Sequence, residues 1–199
     1  MTEAFFISFK NKFSETLDSW DYYWSSSIRY FLHEEIASMI ISTCVALGYN
    51  IYAEIPLMVH SDTPKFFNKR DIIKDRGRND LLVKLDEKNF VIIEIETYKE
   101  GQKALDVFTK RWNVRKISPN QAHALFILIY CSEDISNDKI FQDMLKKMNK
   151  LSKLEKSKKT RIVLNPISWM LLGLEIQDDD IRIVHETHDI INSIRTHSQ

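Results

Sequence analysis

Asp80, Glu94 and Glu96 are the residues whose types and spacing could do chemistry in this chain of 199 residues. Glu94 and Glu96 flank Ile95 and follow Val91-Ile92-Ile93, an apolar run that reads as a strand. Successive strand side chains alternate faces, so the two glutamates share one face while Ile93 and Ile95 share the other. Asp80–Leu85 reads as the preceding strand, joined to Phe90–Thr97 through the short turn Asp86-Glu87-Lys88-Asn89. Closing this hairpin at Leu85 and Phe90 sets Leu81 opposite about Glu94 and Asp80 opposite about Ile95. Asp80 then lies at the open end, within reach of both glutamates. An unpaired ionised carboxylate beside so apolar a stretch is costly or shifts its pKa. A divalent cation removes that conflict, and an oxygen-only donor set suits Mg²⁺ or Mn²⁺. The plainer alternative is a set of sheet-end carboxylates lying in water or paired with nearby Lys and Arg.

The elements that must hold these residues follow from periodicity. Thr2 can cap a first helix in which Phe5, Phe9, Phe13 and Leu17 recur every four residues. Ten aromatic residues fall within the first 31 positions, among them Trp20, Tyr22, Tyr23 and Trp24. Such a stretch must cover the body of the domain or a second subunit, and core packing is the favoured use. A second helix is expected from about Ser27 to Leu47, stopping at Gly48, with the stripe Ile28, Leu32, Ile36, Met39, Ile40, Thr43 and Leu47. Glu35 falls on the edge of that stripe, Glu34 on the wet face, and His33 beside Glu34 reads as a surface pair rather than a ligand. Tyr49–Leu57, holding Glu54, is a strand candidate. A helix over about Gly101–Ile117, a buried strand over Ala124–Tyr130 and an amphipathic helix from Asp138 to about Lys153 follow. Arg161–Ile167 is a further strand candidate, and a short helix is expected near Glu186–Thr196. The fold class is therefore α/β, a mixed sheet flanked by helices in the order α-β-β-β-α-β with additions at both ends. A single domain is expected over residues 1–199, with an aromatic-rich helical extension at 1–26, a core at 27–135 and C-terminal additions at 136–199.

Composition excludes several classes. With only four Gly and four Pro and 44% hydrophobic residues, the chain is neither low-complexity nor disordered. No apolar run is long enough to span a bilayer, and no basic lead-in or small-residue cleavage site accompanies Phe5-Phe6-Ile7. Cys44 and Cys131 lie inside apolar runs and read as core residues in a reducing compartment, which makes a cytoplasmic location the expectation. The glycines at 48, 77, 101 and 173 build no phosphate loop, so no nucleotide cofactor is expected. His185 and His188 lack the pattern of a zinc site. The net charge is zero, 28 basic against 28 acidic residues, yet the signs are segregated. Lys65–Arg78 holds six basic residues against Asp71 and Asp75, and Lys146–Arg161 holds eight against Glu155 alone. Such segregation can give a neutral protein a basic face, although a lysine-rich helix face is also the ordinary solvated face.

In this context the order of motifs carries a resemblance. His33-Glu34-Glu35 on a helix comes first, then a helix ending in Gly, then a strand with Glu54. Gly77-Arg78-Asn79-Asp80-Leu81-Leu82-Val83, a short turn and Val91-Ile92-Ile93-Glu94-Ile95-Glu96 complete it. Roughly residues 30–130 resemble the core of the PD-(D/E)XK nuclease superfamily, that is, a restriction-endonuclease-like fold. The resemblance implies that Asp80 and Glu94 bind the metal and that Glu35 is an acidic residue added from the first helix. The motif position usually held by Lys is Glu96 here, which would serve as general base or as a further metal ligand; a lysine from the next helix, Lys103 or Lys110, is the other candidate. The implied activity is Mg²⁺- or Mn²⁺-dependent phosphodiester hydrolysis by a DNA endonuclease, with Arg76, Arg78, Lys103, Lys110 and Arg111 as phosphate contacts. A homodimer through the aromatic N-terminal helix would suit a duplex cut on both strands. The alternative is the same fold without turnover, serving as a module that binds nucleic acid or a protein partner.

Overall fold

The computed structural model of the chain describes residues 2–20, 32–56, 78–86, 89–97, 123–157, 168–177 and 180–189. The four-residue aromatic spacing at the N-terminus forms α1, Thr2–Ser19, and Phe5, Phe6, Phe9, Phe13 and Leu17 are all buried in the chain's own core. The Phe9 and Phe13 rings stack with centroids 5.6 Å apart. Core packing is thus how this apolar face is used; Tyr22, Tyr23 and Trp24 lie outside the described residues. α2, Leu32–Ala46, buries Leu32, Ile36, Met39, Ile40, Thr43 and Cys44. It ends where Gly48 takes a φ of 81°. The Tyr49 N–H donates to the Cys44 carbonyl and the Gly48 N–H to the Val45 carbonyl, the paired bonds that satisfy a helix C-terminus closed by a left-handed glycine.

Six strands form one sheet in the order β1-β2-β3-β4-β5-β6: β1, Asn50–Pro56; β2, Arg78–Lys84; β3, Asn89–Thr97; β4, His123–Ser132; β5, Trp169–Gln177; and β6, Asp180–Asp189. The first three are mutually antiparallel, β3-β4 and β4-β5 are parallel, and β5-β6 is antiparallel. This is a mixed sheet flanked by helices, as the periodicity implies. One face carries Leu81, Val83, Ile93, Ile95, Ile127, Ile129, Met170, Leu172 and Leu174, packed with α1 and α2 in a single apolar cluster. The third described helix, α3, Lys139–Ser157, covers the other face, where Phe141 meets the rings of Tyr130 and His185.

Three expectations are corrected. The hairpin register is Leu81↔Ile93 and Lys84↔Phe90, one residue from the expected closure. The turn explains the slip: the N–H groups of Leu85 and Asp86 both donate to the Asn89 carbonyl, so Leu85 belongs to the turn and not to the ladder. Glu186–Asp189 is strand, not helix, since it pairs with Leu172–Trp169. Trp169–Gln177, an apolar run absent from the expected strands, forms a buried member of the sheet. The alternation in β6 is broken by a bulge: Gly173 pairs with His185 and Leu174 with Ile183, leaving Val184 as the extra residue. The expected elements at Gly101–Ile117 and Arg161–Ile167 lie outside the described residues. None of the described helices is long and apolar enough to cross a membrane.

Phe13→Ala should cost about 3–5 kcal/mol of folding stability, the range for deleting a buried ring, measured by urea unfolding. Burial pushes the thiols of Cys44 and Cys131 up to about 12. Native protein at pH 8 should therefore not react with a chromogenic disulfide, whereas urea-unfolded protein should release two equivalents of colour, one for each free cysteine.

Candidate functional site

The site begins where β2 leaves β3. The β2-β3 ladder reaches Leu81↔Ile93 and stops, while β2 stays paired with β1 as far as Arg78 and β3 stays paired with β4 as far as Thr97. The two strands therefore part at Asp80 and Glu94. Continuing the register would set Asn79 opposite Ile95. Instead the Ile95 N–H donates to Asp80 Oδ2 at 2.8 Å, so the carboxylate fills the place of a ladder carbonyl in the fork. A charged acceptor makes this bond stronger than the neutral one it replaces.

α2 reaches the same carboxylate. His33 Nε2 lies 3.5 Å from Asp80 Oδ2, with the His33 side chain 42% exposed and that of Asp80 24%. Asp80 is the main reason the imidazole pKa is raised above 6.5; burial opposes the rise, and the charges of Asp80, Glu34 and Glu96 add to it. His33 is therefore not the surface pair expected from its neighbour Glu34. The missed signal is helical spacing: His33, Ala37, Ile40 and Cys44 recur at four, three and four residues, and Ile40 and Cys44 are buried while Ala37 packs against the core. Glu35 is half-buried and Glu34 exposed on the same turn.

Glu94 is only 3% exposed and its Oε1 is sealed from solvent. Because β3 pairs without interruption with β4, Glu94 and Glu96 share the sheet face opposite Ile93 and Ile95, and Glu96, half-buried, is paired with Tyr130. Tyr130 is buried there, and its hydroxyl donates to Asp138 Oδ2 at 3.0 Å, as does that of Ser132 at 2.8 Å. The other oxygen of Asp138 accepts the N–H groups of Ile140 and Phe141 and so caps α3. Desolvation, then Asp138, Cys131 and Glu96, raise the Tyr130 pKa, so this phenol stays a donor at all ordinary pH. Sequence reasoning did not find the Tyr130-Ser132-Asp138 network, whose only trace is the Asp three residues before Phe141.

The structure thus brings Asp80 and Glu94 to one fork, with Glu96 two residues along the same face and His33 arriving from α2. Among the described residues no group of three or more His, Cys, Asp or Glu side chains is gathered closely enough to hold a metal ion. Arg78 opens β2. Arg76, Lys103, Lys110 and Arg111 lie outside the described residues.

In cation-free protein the His33 imidazole should titrate above 6.5 by NMR, and Asp80→Asn should bring it down. The sign is that of a raised folded pKa: the pair's contribution to stability is fully present below the unfolded value and is lost as pH rises through the folded one.

No protein-family model matches this chain, and no curated protein matches it.

Proposed function

We propose that the chain is a metal-dependent nuclease, a DNA endonuclease in which Asp80 and Glu94 bind Mg²⁺ or Mn²⁺ and Glu96 handles the attacking water. The observation that carries this reading is the fork: two strands part at an aspartate and a glutamate, and the glutamate is 3% exposed. Burying a carboxylate beside a second one is costly, and a hard cation is the chemical group that relieves both at once. The donors are oxygens, which Mg²⁺ and Mn²⁺ prefer. Mg²⁺ is commonly held by one or two carboxylates with waters and substrate phosphates completing its shell, so a pair of side chains fits it without a preformed cage. The described order, α2 followed by three antiparallel strands and then β4, is compatible with the core of the superfamily that the sequence resembles, the helix expected over Gly101–Ile117 lying outside the described residues.

A bound cation would polarise the scissile phosphate and lower the pKa of a water. Asp80, held by the Ile95 N–H, keeps a fixed place in the fork. Glu96 is less buried than Glu94 and accepts the proton as the water oxygen attacks phosphorus. The phosphorus–oxygen bond to the leaving nucleotide breaks, and solvent returns a proton to the departing oxygen. Glu35 would add an acidic group from α2, and Arg76, Arg78, Lys103, Lys110 and Arg111 would meet the DNA phosphates.

Supercoiled plasmid and short linear, branched and single-stranded DNAs should be cut in Mg²⁺ or Mn²⁺ and left intact in EDTA. Asp80→Asn and Glu94→Gln should each lower the rate about a hundredfold or more, the equivalent of about 3 kcal/mol in the barrier. DNA retained at low salt but never cut would replace the nuclease with the non-catalytic binding module. Neither cutting nor binding would leave the carboxylates with a structural role only.

A further inference from the structure

We propose that His33 is a positioning residue for this site, holding the Asp80 carboxylate in the orientation that presents it to the cation; the inference rests on the nuclease reading. Two groups converge on one oxygen of Asp80. The Ile95 N–H approaches Oδ2 from β3 at 2.8 Å, and the imidazole Nε2 approaches the same oxygen from α2 at 3.5 Å. With both contacts on Oδ2, rotation of the carboxylate is opposed from the strand side and from the helix side.

The support behind the imidazole is the buried face of its own helix. α2 is anchored through Leu32, Ile36, Met39 and Ile40, all buried, and is closed at its far end by the Gly48 bonds. Leu32, next to His33, is 4% exposed, so the first turn of the helix is itself seated in the core. Groups that hold a metal-binding carboxylate in place from the outer shell are typically worth about 10–100-fold in metal affinity or activity. The 3.5 Å separation is long for a hydrogen bond, and catalytic contacts often tighten only when the reacting complex forms. His33 also supplies an N–H donor, from the helix and not from the strand, in a site whose usual motif lysine is replaced by Glu96.

The test compares wild type, His33→Ala and His33→Gln for Mn²⁺ binding by calorimetry without DNA and for cleavage kinetics with Mn²⁺. The Gln side-chain amide places an N–H close to the reach of the imidazole Nε2. His33→Ala should weaken Mn²⁺ binding about 10–100-fold and lower kcat with KM for DNA unchanged, and His33→Gln should restore most of both. Thermal unfolding of each variant separates loss of fold from loss of function, and His33→Gln carries the comparison if the alanine variant does not fold. Unchanged Mn²⁺ affinity and kcat in His33→Ala would overturn the role. Equal impairment of both variants would overturn it as well, since packing and not the donor would then be what matters. Wild type that neither binds Mn²⁺ nor cuts DNA would remove the nuclease reading itself and this role with it. That result is distinct from a working wild type matched by His33→Ala.

Discussion

The parting of β2 from β3 depends on one bond, from the Ile95 N–H to the Asp80 carboxylate. A strand that leaves its neighbour exposes backbone donors, and a buried amide without an acceptor costs as much as a lost hydrogen bond. Ile95 is 2% exposed, so water cannot easily supply the acceptor. Asp80 supplies it from the departing strand, and the ladder can end without leaving an orphan. The same act brings a charged group into the sheet beside Glu94. The residue that lets the fork exist is therefore also one of the carboxylates of the candidate site, and both assignments fall on one side chain.

The two faces of the sheet divide the remaining work. The α1/α2 face is a continuous apolar cluster that includes Ile93 and Ile95, and its tight packing fixes the backbone on which Glu94 and Glu96 ride. The opposite face is polar at the same level. There Tyr130 and Ser132 donate to Asp138, which in turn caps α3, so the start of a helix is tied to the strand that lies next to Glu96. Alternation along β3 is what separates the functions: odd-numbered residues hold the core, and Glu94 and Glu96 between them face the site.

Local pattern made much of this legible. The four-residue recurrence of Phe5, Phe9, Phe13 and Leu17, the stripe of α2 with its Gly48 stop, the hairpin and the apolar strand at β4 all follow from short-range spacing, and all are observed. What was not legible depends on contacts distant in sequence or on turn geometry. The hairpin register slipped by one because both Leu85 and Asp86 give their N–H groups to Asn89, a detail no periodicity encodes. β6 was hidden because its bulge at Val184 interrupts the alternation that identifies a strand. For His33 the immediate neighbour Glu34 was the misleading cue; the informative residues were Ala37 and Ile40, one and two turns away.

α1 connects these parts. Its Phe5 ring lies 5.3 Å from that of Tyr49 at the start of β1, and its Lys10 ammonium pairs with Glu186 of β6 at 2.6 Å. The helix thus touches the region of β1 and the strand β6, and beyond Lys10 it packs against α2, where the Thr16 and Thr43 hydroxyls lie 3.0 Å apart. The inner face of α2 is held by apolar burial, which is non-directional and would tolerate small displacements of the helix. His33 meets Asp80 at a distance where a shift of an ångström breaks the contact. The N-terminal helix therefore does more than enlarge the core. By filling the other side of α2 with close-packed phenylalanines it removes the slack that burial alone would leave, and the approach of an imidazole to a carboxylate at the fork depends on that filling.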